Sequence, residues 1–135
     1  QKGEEYPVPL VRMDWRNPIT DCRGIRLADE ILPDAMADWY IESGEARKTA
    51  LQAAEALQSF FEERGLQLWD LCFFITEDGL SVFSEISPDC CRIRYLDGAA
   101  GPDKDIWRHG GSSDDVLKKW NRLAELLGNG GSDSR

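Results

Sequence analysis

The feature that most limits the fold is a long helical pattern that stops abruptly and runs into an apolar stretch. Ala46, Ala50, Ala53, Ala54, Leu57, Phe60 and Phe61 recur at spacings of three and four, which gathers them on one side of an α-helix. Arg47, Lys48, Glu62 and Glu63 fall on the polar side. The pattern predicts a helix from Gly44 or Glu45 to Arg64. Gly65 then ends it, because glycine adopts the left-handed conformation that closes a helix without steric cost. The next residues, "LQLWDLCFFI", read as a nearly continuous apolar strand. Such a run is expected at the centre of a sheet, covered on both faces.

Thr76-Glu77-Asp78-Gly79 supplies a turn, since Asp-Gly is a strong hairpin signal. "LSVFSEI" is then expected as the returning antiparallel strand. Upstream, "YPVPLVRMDW" alternates after two prolines, as an edge strand does. "LPDAMADWYI" predicts a short helix with Pro33 in its first turn. Ser112 or Ser113 is placed to cap a last helix whose stripe is Val116, Trp120, Leu123 and Leu127. The final residues, 129–135, read as a disordered tail. The expected class is α+β, two layers, with a mainly antiparallel sheet packed by two long helices over residues 1–128.

Composition narrows the partners. The 135 residues are 41% hydrophobic and 30% charged, the mix of a folded domain with one core. A net charge of -9 argues against a nucleic-acid backbone or an anionic membrane as partner, because both attract basic surfaces. No stretch approaches the roughly 18 apolar residues of a membrane span. With no signal-peptide pattern and no C-x-x-C spacing, Cys22, Cys72, Cys90 and Cys91 are expected as free thiols in a cytoplasmic protein. His109 is the only histidine, so a multi-histidine metal site is excluded. The chain opens on Gln1 rather than Met, which predicts processing or a start inside a longer product.

The densest chemistry lies in "SEISPDCCRIR", Ser84 to Arg94. Extended pairing would send Glu85, Ser87 and Asp89 to one face. Arg92 and Arg94 share a face of the next extended segment, and arginine's planar fork suits carboxylate or phosphate. The set fits a site for an anionic small molecule, with carboxylates left for a cation or an amine and Glu85 as the metal candidate. It fits equally a solvated strand end with surface ion pairs. "DKDIWR", Asp103 to Arg108, would either close over a ligand or dock its tryptophan as a loop. In "RMDWRNP", Asp14 and Arg16 share a strand face. Asp70, inside an apolar strand, must be paired, at a strand end, or functional.

These residues resemble a known family. "SEISPDCCR" is similar to the D-E-[IF]-S-P-D-x-x-R signature of the SAICAR synthetases (phosphoribosylaminoimidazole-succinocarboxamide synthases). "YPVPLV", "ALQSFFEERGLQLWD" and "PDKDIWR" resemble further segments of the same enzymes in the same order. Tyr6 to Leu127 resembles their C-terminal half. The resemblance implies an ATP- and magnesium-dependent ligase of purine biosynthesis. Such an enzyme joins an aminoimidazole ribonucleotide carboxylate to an amino acid such as aspartate through an acyl phosphate. It implies Ser87, Arg92, Arg94 and Arg16 as substrate-binding residues, with Arg92 on the ribonucleotide phosphate. Asp89, Lys104 and Asp105 are implied as the catalytic set. The N-terminal ATP lobe is then expected as a separate or cleaved polypeptide, or self-association covers its place. The chain departs from the family at Cys72, Phe74 and Ser84, which stand where a lysine, a metal-binding glutamate and an aspartate are usual. Those departures allow an alternative: a related condensing enzyme of nucleoside metabolism, or a nucleotide-binding module without catalysis.

Overall fold

A computed structural model describes residues 9–97, 99, 101–102 and 105–129. The element order is β1 (Asp14–Trp15), β2 (Glu30–Ile31), α1 (Asp34–Ala37), α2 (Ser43–Glu62), β3 (Leu66–Leu71), β4 (Cys91–Tyr95), α3 (Asp105–Arg108) and α4 (Ser113–Asn129). This is the expected α+β class, with antiparallel pairing and two long helices. The chain forms two compact units. One holds residues 1–51 and 75–82; the other holds 52–74 and 83–135.

In the first unit β1 pairs antiparallel with β2. The edge strand expected from Tyr6 to Trp15 is reduced, among the described residues, to Asp14 and Trp15, and residues 6–8 lie outside them. Arg47 of α2 donates to the Val11 carbonyl at 3.0 Å and also pairs with Asp34 of α1. Pro33 caps α1, and Ala37 is fully buried. The expected turn at residues 76–79 forms. Gly79 takes φ 73°, and its carbonyl accepts the Thr49 hydroxyl of α2 at 2.6 Å. A Cβ at Gly79 would meet the Ala46 nitrogen at 2.5 Å and the Glu42 carbonyl at 2.7 Å. Only glycine therefore serves this turn.

In the second unit β3 and β4 form an antiparallel pair, and Phe61, Leu66, Cys91, Ile93 and Leu123 make one buried cluster. Gly65 closes α2 at φ 73°, as its sequence position predicts. Ser112 caps α4. Its hydroxyl accepts the Asp115 N–H at 3.2 Å, and the Asp115 carboxylate accepts the Ser112 N–H at 3.1 Å, a reciprocal capping box. Leu123 is buried in the core, whereas Trp120 of the same expected stripe is exposed. Asn129 ends α4, and residues 130–135 of the expected tail lie outside the described residues.

Two strand expectations are corrected. β3 stops at Leu71 and is not a central strand: it has one partner, and its Trp69 is 43% exposed. "LSVFSEI" returns antiparallel only beside residues 74–76, through the Ile75–Val82 bridge, the Thr76 N–H to the Ser81 carbonyl at 2.9 Å and the Phe83 N–H to the Phe74 carbonyl at 3.1 Å, and not beside β3. The physical cause lies in the side chains past Leu71. The Ser84 hydroxyl accepts the Phe74 N–H at 3.0 Å, a bond that a ladder carbonyl would otherwise take. Pro88 has no N–H to offer a partner. The segment 87–90 turns instead, closed by the Cys90 N–H to the Ser87 carbonyl at 3.1 Å. The expected alternation of Glu85, Ser87 and Asp89 on one strand face is therefore absent. β4 takes the place beside β3.

Candidate functional site

The site is built on the non-core face of the β3–β4 pair. On the core face, Leu66, Leu68 and Leu71 oppose Tyr95, Ile93 and Cys91. Strict alternation would put Asp70 on that same face, two residues from Leu68. The register shifts between Leu68 and Asp70. The extra residue, Trp69, is a β-bulge that reverses the parity of the strand. Asp70 thereby leaves the core and faces Arg92. The bulge answers the question posed by a carboxylate in an apolar run: Asp70 is paired, through its Oδ2 and Arg92 Nη1.

Four charged groups meet here. Arg92 Nε donates to both oxygens of Asp105, at 3.2 Å each. Arg94 Nη2 donates to Asp105 Oδ2 at 2.9 Å, and Arg94 Nη1 donates to the Ile93 carbonyl at 2.8 Å. The Arg94 guanidinium lies over the Trp69 ring, 4.8 Å from its centroid, a cation–π contact that also fixes its plane. Burial alone would raise the Asp105 carboxyl. Hydrogen bonds from Arg94 and Arg92 outweigh it and hold the group below its ordinary range. Burial would likewise lower Arg92, but its bonds to Asp70 and Asp105 raise it. The arrangement presents two forked cations side by side and shares one carboxylate between them. A phosphoryl group offers the same acceptor pattern with one more oxygen.

The Ser87-Pro88-Asp89 turn leads into β4. Ser87 Oγ accepts the Asp89 N–H at 3.3 Å, and the Ser87 carbonyl accepts both Cys90 Sγ and Cys91 Sγ at 3.1 Å. Cys90 and Cys91 are thus tied into the turn as free thiols. Beneath the turn lies an apolar cavity of about 150 Å³, lined by Leu57, Phe60, Ile86, Pro88 and Leu123 among others. Asp89 and Glu85 are exposed to solvent.

The structure brings Arg92, Arg94 and Asp105 together, and places Ser87 and Asp89 on the turn that enters β4. Arg16 belongs to the first unit, where its charge adds to the hydrogen bond from Arg26 in lowering Asp29. Lys104 lies outside the described residues. Trp69 and Asp70 complete the cluster. Asp70 carried a sequence signal, an unpaired charge in an apolar run. Trp69 carried none, because nothing in its spacing distinguishes a bulged tryptophan from a core one.

The donor set does not fit magnesium. Among the described residues no three His, Cys, Asp or Glu side chains converge as a metal site would require. Asp70 and Asp105 are engaged by guanidinium groups. Phe74 and Ser84 supply a ring stacked on Phe83, 5.5 Å between centroids, and a hydroxyl held by a backbone N–H. A hard cation needs several oxygen ligands, and these residues do not supply them.

Fold and site define an α+β module with an arginine pair on β4 bridged by one carboxylate. Comparison with known proteins gives the family. The SAICAR synthetase family profile matches residues 42–125, more than half of the chain, and the chain belongs to that family. It is 32% identical to the phosphoribosylaminoimidazole-succinocarboxamide synthase of Methanocaldococcus jannaschii, over 95% of this chain and 52% of that enzyme. It is 29% identical to the bifunctional cordycepin biosynthesis cluster protein 3 of Cordyceps militaris, over 93% of this chain and 19% of that protein. A SAICAR synthetase solved in complex with ADP superimposes with a TM-score of 0.74 at 22% identity, covering 100% of this chain and 57% of that one. The chain therefore spans about half the length of the family enzymes it matches. Among the described residues, no helix is long and apolar enough to cross a membrane.

Proposed function

We propose that this chain is the C-terminal lobe of a cytoplasmic, SAICAR-synthetase-like ligase and supplies its ribonucleotide-binding corner. In the reaction, the ribonucleotide carboxylate attacks the terminal phosphorus of ATP and ADP leaves. The amino-acid nitrogen then attacks the acyl carbon, phosphate leaves and the nitrogen loses a proton. The lobe's task is to hold the ribonucleotide. Arg92 and Arg94 take its phosphate, Ser87 orients the ring, and Asp89 meets the incoming amine and receives its proton. Lys104 and Arg16 are the further substrate residues that the family resemblance implies. The observation that carries this reading is the arginine pair on β4, already arranged around one anionic group. ATP is met by the companion half of the family fold. Exposed Leu10, Ile19, Ile25, Ile31 and Trp39 in the first unit support such a partner, because a chain that functions alone seldom displays so many large apolar side chains.

A second reading is favoured by the donor set. Phe74 and Ser84 leave no oxygen cluster for magnesium among the described residues, which suits a nucleotide-binding module, or a related condensing enzyme of nucleoside metabolism. Calorimetry with the carboxyaminoimidazole ribonucleotide tests the shared core of both readings. Binding should weaken about tenfold or more in Arg92→Ala and stay unchanged in Arg23→Ala, an exposed arginine paired with Asp21. Equal affinity in all three proteins would remove the phosphate assignment. Adding the companion half with ATP then separates the two: amide formation supports the ligase, and binding without turnover supports the module.

A further inference from the structure

Cys72, Cys90 and Cys91 gather where the β3–β4 pair ends. Leu71 and Cys91 are its last partners. One residue further, the Cys72 N–H donates to the Cys90 carbonyl at 2.8 Å. Cys72 and Cys90 therefore stand opposite each other across the two segments. Residues opposed in this way hold their Cα atoms about 5.5 Å apart, inside the roughly 4.4–6.8 Å that a disulfide spans. Opposed side chains also share a face. Cys91 belongs to the buried core cluster, so its neighbour Cys90 and the opposed Cys72 fall on the other face, the one that carries Asp70 and Arg92. Exposure separates the three thiols: Cys72 is exposed, Cys90 half-buried and Cys91 buried.

We infer that Cys72 and Cys90 are a reversible oxidation site: a hydroperoxide joins them as a disulfide, and the bond loosens the turn that carries Ser87 and Asp89. The exposed Cys72 meets the oxidant first. Its sulfur attacks the O–O bond, Cys72 becomes a sulfenic acid, and the other half of the peroxide leaves as water or an alcohol. Cys90 sulfur then attacks Cys72 sulfur, and the hydroxyl leaves with the Cys90 proton as water. The two thiols give up two electrons, and the peroxide takes them. A small thiol reverses the bond by exchange, as suits a transient disulfide in a reducing compartment.

Cys90 cannot join Cys72 and keep its place in the turn. Its Sγ accepts the Ser87 N–H at 3.1 Å, and its S–H lies against the Ser87 carbonyl at 3.1 Å and the Glu85 carbonyl at 3.3 Å. Oxidation removes that S–H and swings the sulfur towards Cys72. The turn keeps the Cys90 N–H and Cys91 Sγ bonds to the Ser87 carbonyl, but loses its ties to the Ser87 N–H and the Glu85 carbonyl. Cys91 is no rival to Cys72 for the bond. Joining adjacent residues whose side chains diverge requires the backbone between them to move, and it would draw Cys91 out of the core.

The test treats dilute, reduced wild-type protein with hydrogen peroxide and maps its peptides by mass spectrometry without reductant. A peptide pair joined through Cys72 and Cys90 should accumulate, and dithiothreitol should abolish it. Cys72→Ser should lose the pair. In Cys90→Ser, Cys72 should instead collect as sulfenic acid and its higher oxides. Hydrogen exchange reads the turn: the Ser87 amide should exchange about fivefold faster in the oxidised protein, having lost its sulfur acceptor, and recover on reduction. A bond between Cys90 and Cys91, a bond between two chains, or Cys72 oxidised in wild type without a partner would overturn the site. The Cys72–Cys90 bond formed with Ser87 exchange unchanged would overturn its hold on the turn. Both readouts use wild-type protein, so they decide even where a variant does not fold.

Discussion

Ile93→Ala should cost this protein a large part of its stability. Ile93 sits between Arg92 and Arg94 on β4, is 0% exposed, and packs in the cluster of Phe61, Leu66, Cys91 and Leu123. The substitution removes three carbon groups, worth about 0.8 kcal/mol each in transfer from water, or about 2.4 kcal/mol. Unfilled space adds about 1.2 kcal/mol for each 50 Å³ or so. The site has little capacity to collapse, because Ile93 already borders the cavity of about 150 Å³ and sits in a strand pair that, among the described residues, has no third strand to shift inward. The expected loss is about 3–4 kcal/mol, within the usual range for such truncations. For a chain of this length it lowers the melting temperature by roughly 10–15 °C. Urea unfolding followed by tryptophan fluorescence measures it, and the m-value should stay constant. A loss below about 1 kcal/mol would refute the claim that core packing behind β4 fixes the two arginines in front of it.

Three further outcomes follow from the same geometry. Gly101→Ala should be severely destabilising, since its Cβ would overlap the Ile93 carbonyl of β4, while Gly44→Ala, with open space around it in α2, should be stabilising by about 0.5–1 kcal/mol; thermal melts of the two variants check the contrast. Ser112→Ala should cost about 1 kcal/mol by removing the cap of α4, measured as lost helical ellipticity on heating. Acid should also weaken the fold. The Asp105 carboxyl is held below its ordinary value of 3.8, so its contribution is present above that value and disappears as pH falls through the lowered folded one. Unfolding free energies between about pH 6 and pH 2 should fall less steeply in Asp105→Asn than in wild type, and parallel curves would contradict the pairing.

Much of this architecture was legible because it is local. The alanine and phenylalanine spacing placed α2, Gly65 closed it, and Ser112 opened α4, each within one or two turns of helix. The strand pairing was legible only next to the turn, where Ser81, Val82 and Phe83 pair back on Thr76, Ile75 and Phe74. "LQLWDLCFFI" and "LSVFSEI" look like a hairpin by periodicity, but one hydroxyl at Ser84 and one missing N–H at Pro88 end the ladder, and those effects appear only once the chain is folded. The site was readable to the same depth. Two arginines two residues apart in an extended segment share a face whatever their partner, so Arg92 and Arg94 were evident. The bulge at Trp69 was not, because an extra residue leaves no mark on composition. It is the bulge that turns Asp70 towards Arg92 and lays Trp69 under Arg94. Asp105 was marked by its motif, but its position across both guanidinium groups depends on α3 meeting β4, which sequence spacing does not encode.

The central claim is that the β4 arginines form the phosphate end of a ribonucleotide site. A crystal structure of this chain with the carboxyaminoimidazole ribonucleotide bound tests it most directly. The account predicts the phosphoryl oxygens within hydrogen-bonding distance of Arg92 and Arg94, the ring beside Ser87, and the Asp105 carboxylate turned away. A ribonucleotide bound elsewhere, with Asp105 still bridging both arginines, would contradict it.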